Sequence, residues 1–87
     1  MNDTAVEIIK ARLTGNRIKA VLEEKNITQE DLSRRVGVSY RHINRLCLNR
    51  SEPSLLLALR ISVVLNEPLD KLFMWKIQTR GTRKAAA

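Results

Sequence analysis

Eighty-seven residues make one small domain, near the size at which a core only just offsets chain entropy, and leave no room for a second. A composition 44% hydrophobic but only 3% aromatic suits a helical bundle of Leu, Ile, Val and Ala, and excludes a disordered chain. The formal charge of +7 calls for a polyanionic partner, either nucleic acid or an anionic membrane surface, and charge alone does not choose between them.

Thr4 to Glu7 has the form of a capping box, and Val6, Ile9 and Leu13 share one face of the succeeding segment, which predicts a short extra helix over Ala5 to Leu13. Met1 to Gly15 mixes acids and bases through its apolar residues, unlike a signal peptide. Thr14 and Gly15 break that helix, and Asn16 is placed to cap the next one, Arg17 to Lys25. There Ile18, Val21 and Leu22 turn inward, Lys19, Glu23 and Glu24 stay in water, and Asn26 closes the helix in the left-handed conformation.

Ile27 precedes Thr28, a helix cap with Asp31 as its partner. From Gln29 to Leu48 the chain reads as two short helices around a glycine turn. Leu32 and Val36 recur at i, i+4; Ile43, Leu46 and Cys47 recur at i, i+3, i+4. Gly37 can take the positive backbone angle that turns the chain between them, Val38 returns to the core, and Ser39 caps the second helix. Tyr40, Arg41, Asn44 and Arg45 remain on its outer face, with His42 at the edge. From Ser33 to Ser51 there are five arginines and no carboxylate.

Asn49 to Pro53 is a polar loop, and Pro53 followed by Ser54 signals a fresh helix start. The helix from Leu55 to Leu65 is apolar around much of its girth, which predicts a central core element. Its run Leu55 to Leu59 is far too short to cross a bilayer. Asn66 and Pro68 end it, and Leu69, Leu72 and Phe73 supply a last short helical turn. Phe73, Trp75 and Ile77 then alternate with Met74 and Lys76, the period of a strand. In an all-α chain such a strand has no partner of its own; either it pairs with its copy in a second subunit, burying Trp75 and Ile77, or Trp75 folds back on the bundle. Thr79 to Ala87, basic and then purely alanine, is expected to be disordered.

This arrangement resembles the helix-turn-helix of the Cro and phage-repressor class, also called the xenobiotic-response-element family. Counting from Gln29, the family pattern wants a small residue at the fifth place, glycine at the ninth, and apolar residues at the fourth, eighth, tenth, fifteenth and eighteenth. Those places hold Ser33, Gly37, Leu32, Val36, Val38, Ile43 and Leu46. With NRIKAVLEEKNITQ upstream and PSLLLALRISVVLNEPLDKLF downstream, the likeness covers Asn16 to Phe73, about two thirds of the chain. The resemblance implies an all-α fold: a five-helix repressor-like bundle over residues 16–73, with residues 1–15 as an N-terminal extension carrying the extra helix and residues 74–87 as a tail with a short strand.

The resemblance also implies a function: a small cytoplasmic, prokaryotic transcriptional regulator, a repressor that binds double-stranded DNA as a homodimer. By the family's pattern Tyr40, Arg41, Asn44 and Arg45 read bases, and Thr28, Gln29, Ser39, His42, Arg50 and Ser51 are the candidates for the DNA backbone. The free amides at the start of the second helix favour a phosphate near Thr28 and Gln29, while Arg34 and Arg35 add to the positive field. Trp75 and Ile77 are the candidate dimer contacts. Four positions depart from the pattern: Leu22 stands where members commonly have an arginine, Cys47 where they have a glutamate paired with it, Asn49 where they have a glycine, and Leu48 where polar residues often reach a phosphate.

A lone histidine with no second ligand builds neither a zinc site nor a triad, so no metal, cofactor or catalytic residue is assigned and the chain is not expected to be an enzyme. An antitoxin, whose DNA-binding half autoregulates while its tail holds a toxin as protein partner, is the alternative. A membrane partner is not expected, since the helical pattern assigns every apolar face to the core.

Overall fold

The computed structural model of the chain describes residues 6–81. The order is β1 (Val6–Asn16), α1 (Ile18–Lys25), α2 (Gln29–Val36), α3 (Tyr40–Cys47), α4 (Leu55–Leu65), α5 (Leu69–Leu72) and β2 (Phe73–Gly81). Most ends of α1 to α4 fall where local chemistry directs them. The Thr28, Ser39 and Ser54 hydroxyls accept the amides of Asp31, His42 and Leu57, the usual N-cap geometry. Asn16 Oδ1 accepts the Ile18 amide at 3.0 Å, as its sequence position predicts. Asn26 and Asn66 close α1 and α4 in the left-handed conformation at φ 57° and 55°, and Gly37 closes α2 at φ 79°.

Ile18, Leu32, Ile43, Leu46, Ile61, Leu65 and Leu72 are wholly buried, so all five helices feed one core. Ser33 is the buried polar residue among those described; its hydroxyl donates to the Glu30 carbonyl at 2.6 Å, which lets it be buried without an orphaned donor.

The all-α expectation is corrected by the two ends of the chain. Residues 6–16 form a strand where a helix was predicted, and this strand pairs antiparallel with β2, from Val6 opposite Gly81 to Asn16 opposite Phe73. The protein is therefore mixed, a helical bundle carrying a two-stranded ribbon. The strand predicted at Phe73 to Ile77 is present and longer than expected, and its partner lies within the same chain. Thr79 to Gly81 belong to it, while the rest of the tail expected to be disordered, 82–87, and the first half of the capping box, Thr4 and Ala5, lie outside the described residues.

The helical reading failed for a definable reason. The register shifts between Ile8 and Lys10, so the apolar residues of one strand face run Val6, Ile8, then Ala11, Leu13. A bulge of this kind breaks the period of two and leaves a seven-residue spacing that fits a helix equally well.

The second correction concerns α4. Leu57, Ala58, Ile61 and Leu65 are buried, but Leu55, Leu56, Leu59 and Val63 are exposed along the opposite side. The helix is apolar around much of its girth without being enclosed there, and one largely apolar face is not claimed by the core. No helix among the described residues is long and apolar enough to cross a membrane.

Candidate nucleic-acid interface

Helix α3 stands on the bundle by Ile43 and Leu46, and this fixes which side chains it turns outward. Tyr40, Arg41 and Arg45 are exposed; Asn44, one turn after Tyr40, is half-buried at the seam with α2. There its Nδ2 donates to Gln29 Oε1 at 3.1 Å. The amide of Asn44 is thereby held at a set angle by the first residue of α2, so the two helices of the turn share one polar brace at the edge of the exposed face.

The remaining candidates are arranged around this face. The Thr28 hydroxyl caps α2, accepting the Asp31 amide at 3.0 Å, and the first amides of the helix stay without intrahelical partners. The Ser39 hydroxyl does the same for His42 at 3.1 Å; each hydroxyl keeps its own proton free to donate. The His42 ring is half-buried. Arg50 is exposed at the start of the loop, its amide bonded to the Arg45 carbonyl at 2.8 Å. Arg45 Nη2 reaches back to the Arg50 carbonyl at 3.4 Å, a long contact that lightly tethers the arginine to the loop. Ser51 is placed differently from the others: its hydroxyl is enclosed and has no hydrogen-bond partner.

Charge around the face is sorted by position. Arg34 and Arg35, counted in sequence among its cations, are both held by Asp31, at 3.1 and 3.0 Å. Among the described residues the salt bridges reach neither Arg41, Arg45 nor Arg50, so the positive potential at α3 and its following loop is uncompensated locally. Asn49 supplies the loop's reversal at φ 59°, in the place the family gives to glycine.

One feature of the site has no signal in the local sequence. Asn16, at the foot of the ribbon, donates through Nδ2 to the Leu46 carbonyl at 2.7 Å and to Asn49 Oδ1 at 3.0 Å. It therefore ties the ribbon root to the end of α3 and to the loop that carries Arg50. The two ends of this contact are thirty or more positions apart, and only the tertiary fold brings them together. Trp75 and Ile77, the candidate dimer contacts, lie on the ribbon about half-exposed.

These observations agree with comparisons to known proteins. A helix-turn-helix family profile matches residues 18–72, the five helices without the ribbon. An uncharacterized helix-turn-helix-type transcriptional regulator of Archaeoglobus fulgidus is 39% identical over 59 residues, covering 68% of this chain and 83% of that protein. Another, from Methanocaldococcus jannaschii, is 31% identical over 61 residues, covering 70% and 92%. The crystal structure of a candidate DNA-binding protein from Bacteroides fragilis superposes with a TM-score of 0.64 at 39% identity, covering 68% of this chain and 95% of that one. With the cap residues, the glycine turn and the braced outer face of α3 all in place, the chain belongs to the helix-turn-helix family of transcriptional regulators, in the Cro and phage-repressor class.

Proposed function

We propose that this protein binds double-stranded DNA in a sequence-specific way and represses transcription as a dimer by occupying its operator. The observation that carries the reading is the outer face of α3, where Arg41 and Arg45 are exposed beside an Asn44 amide already oriented by Gln29. In a major groove each guanidinium offers two parallel N–H groups to guanine O6 and N7. Asn44 gives one amide proton to Gln29 and keeps the other, with its carbonyl, for the N7 and N6 edge of adenine. Tyr40 stacks on a sugar or meets a thymine methyl.

Phosphates are held by the open amides of α2, by the free protons of the Thr28 and Ser39 hydroxyls, by the His42 edge and by Arg50 in the loop; the enclosed Ser51 hydroxyl reaches one only where the loop opens. Pairing two such domains through Trp75 and Ile77 sets two recognition helices about 34 to 36 Å apart in successive grooves, and the occupied site blocks polymerase.

Selection of bound duplexes from a random pool tests the assignment. Arg41→Ala and Arg45→Ala are each expected to relax preference at one base position per half-site, a loss of about 1 to 3 kcal/mol of discrimination. Arg50→Ala is expected to weaken all sequences about equally, as loss of a phosphate contact does. If Arg50→Ala changes the preferred sequence while Arg45→Ala leaves it alone, the recognition face is misassigned.

A further inference from the structure

Helix α4 gives Leu57, Ala58, Ile61 and Leu65 to the core, and its other side carries a second apolar stripe. Leu55, Leu56, Leu59 and Val63 are 70%, 64%, 41% and 78% exposed. Leu56, Leu59 and Val63 follow one another at i, i+3, i+7, and Leu55 stands one turn before Leu59, so the four run along one side of the helix for about two turns. Neither the core nor the base-reading face of α3 makes use of them.

The stripe forms the floor of a shallow groove between α4 and the end of α2. Arg35, Leu56, Leu59, Arg60, Val63 and Val64 line about 320 Å³ there. Both charged residues in the lining are cations. Arg60 Nη1 donates to the Val36 carbonyl at 3.4 Å, a long contact that takes up one of the five N–H groups of its guanidinium. Arg35 shares the carboxylate of Asp31 with Arg34, at 3.0 and 3.1 Å, so that cluster keeps an excess positive charge. Among the described residues no carboxylate lines the groove.

We propose that this groove is the docking site of a partner protein, which seats an amphipathic helix on α4 with apolar residues on Leu56, Leu59 and Val63 and carboxylates on Arg35 and Arg60. Charge identifies the occupant. An apolar strip bordered by guanidiniums is complementary to an apolar strip bordered by acids, and a chain of net charge +7 attracts an acidic partner from a distance. A second copy of this chain is the poorer occupant, since a two-fold contact here brings four guanidiniums together.

Spacing identifies its form. A stripe at i, i+3, i+7 on a straight helix is what another helix packs against, with anchors of its own at the same intervals. The exposed stripe amounts to roughly 500 Å², at the upper end of what a monomer leaves in water, and covering it buries about 1,000 Å² in total, the size of a reversible contact. DNA is not displaced. Gln29, which braces Asn44, opens α2, whereas Arg35 lies about 9 Å further along the axis, and no residue of α3 lines the groove.

The test is a selection of helical peptides from a displayed random library against the full chain, run without DNA so that its outcome is separate from the DNA-binding reading. Recovered peptides are expected to carry apolar residues at i, i+3 and i+7 with Asp or Glu beside them. A synthetic copy of the strongest binder, followed by fluorescence anisotropy, is expected to lose about a hundredfold in affinity on Val63→Glu and about tenfold on Arg60→Gln. Lys10→Gln, on the ribbon, is expected to leave that affinity unchanged. Helical circular dichroism should be the same in all variants, since Val63 is exposed and the core is untouched. Binders without acid enrichment, binders indifferent to Val63→Glu, or no binders at all would each overturn the proposal. So would a sedimentation mass that falls on Val63→Glu, which assigns the groove to a second copy. Binding of phosphatidylglycerol vesicles that Val63→Glu abolishes, with no peptide recovered, would overturn it in favour of a lipid surface.

Discussion

Cys47 sits where the family resemblance places an acidic residue paired with an arginine, and its surroundings show what the exchange did. Leu22, in the arginine's place, is buried in the core at 3% exposure. Cys47 is half-buried and packs against the same core from its rim. Desolvation raises the thiol above its ordinary pKa, and the Lys19 ammonium opposes that shift. Its partial exposure leaves the position in touch with water, and the charge of Lys19 reaches it. In a closed site, a carboxylate left without its arginine costs about 3 to 5 kcal/mol. Here Cys47→Glu is expected to cost about 1 kcal/mol, because the new charge is part-solvated and faces Lys19. Urea unfolding measures it, and a loss near the larger figure would mean that the position closes in solution.

At the scale of the element, the turn between α2 and α3 depends on one backbone angle. Gly37 lies at φ 79°, and a Cβ built there meets no atom within 4 Å, so the cost of a side chain is purely conformational. Gly37→Ala should therefore destabilise the fold by about 1 to 2 kcal/mol, and Gly37→Asn by less, since asparagine tolerates the left-handed region as Asn26, Asn49 and Asn66 already do here. Equal losses for the two substitutions in denaturant titrations would point to a clash rather than to backbone strain. The same logic explains why the helix boundaries were readable: caps and left-handed closures are decided within four or five residues, and this chain marks six of the ten helix ends with Thr, Ser, Asn or Gly.

For the whole molecule, the deciding quantity is charge. Among the described residues unpaired positive charge gathers on the outer face of α3 and its following loop, at Arg41, Arg45 and Arg50, and on the ribbon at Lys10, Arg12 and Lys76, while Arg34 and Arg35 share the one carboxylate of Asp31. Binding to duplex DNA is expected to be dominated by counterion release. A dimer making roughly 6 to 10 phosphate contacts should lose about 10³ to 10⁵ in affinity between 50 and 200 mM salt. Fluorescence anisotropy across that range checks it, and an affinity that does not move would contradict a phosphate-held complex.

The amino-acid sequence by itself determined the five helices, their caps, the glycine turn and the residues that α3 turns outward, because each depends on periodicity and on neighbours a few positions away. Tertiary structure alone decided three things. Residues 6–16 became a strand since residues 73–81 lie beside them, and a pairing between the two ends of the chain outweighs a local pattern that a bulge had made ambiguous. One side of α4 stayed in water because the bundle needs only part of its girth, which hydrophobicity counts cannot distinguish from full burial. Asn16 joined the ribbon root to Leu46 and Asn49 through hydrogen bonds that exist only once α1, α3 and the ribbon have packed, so no spacing along the chain announces them.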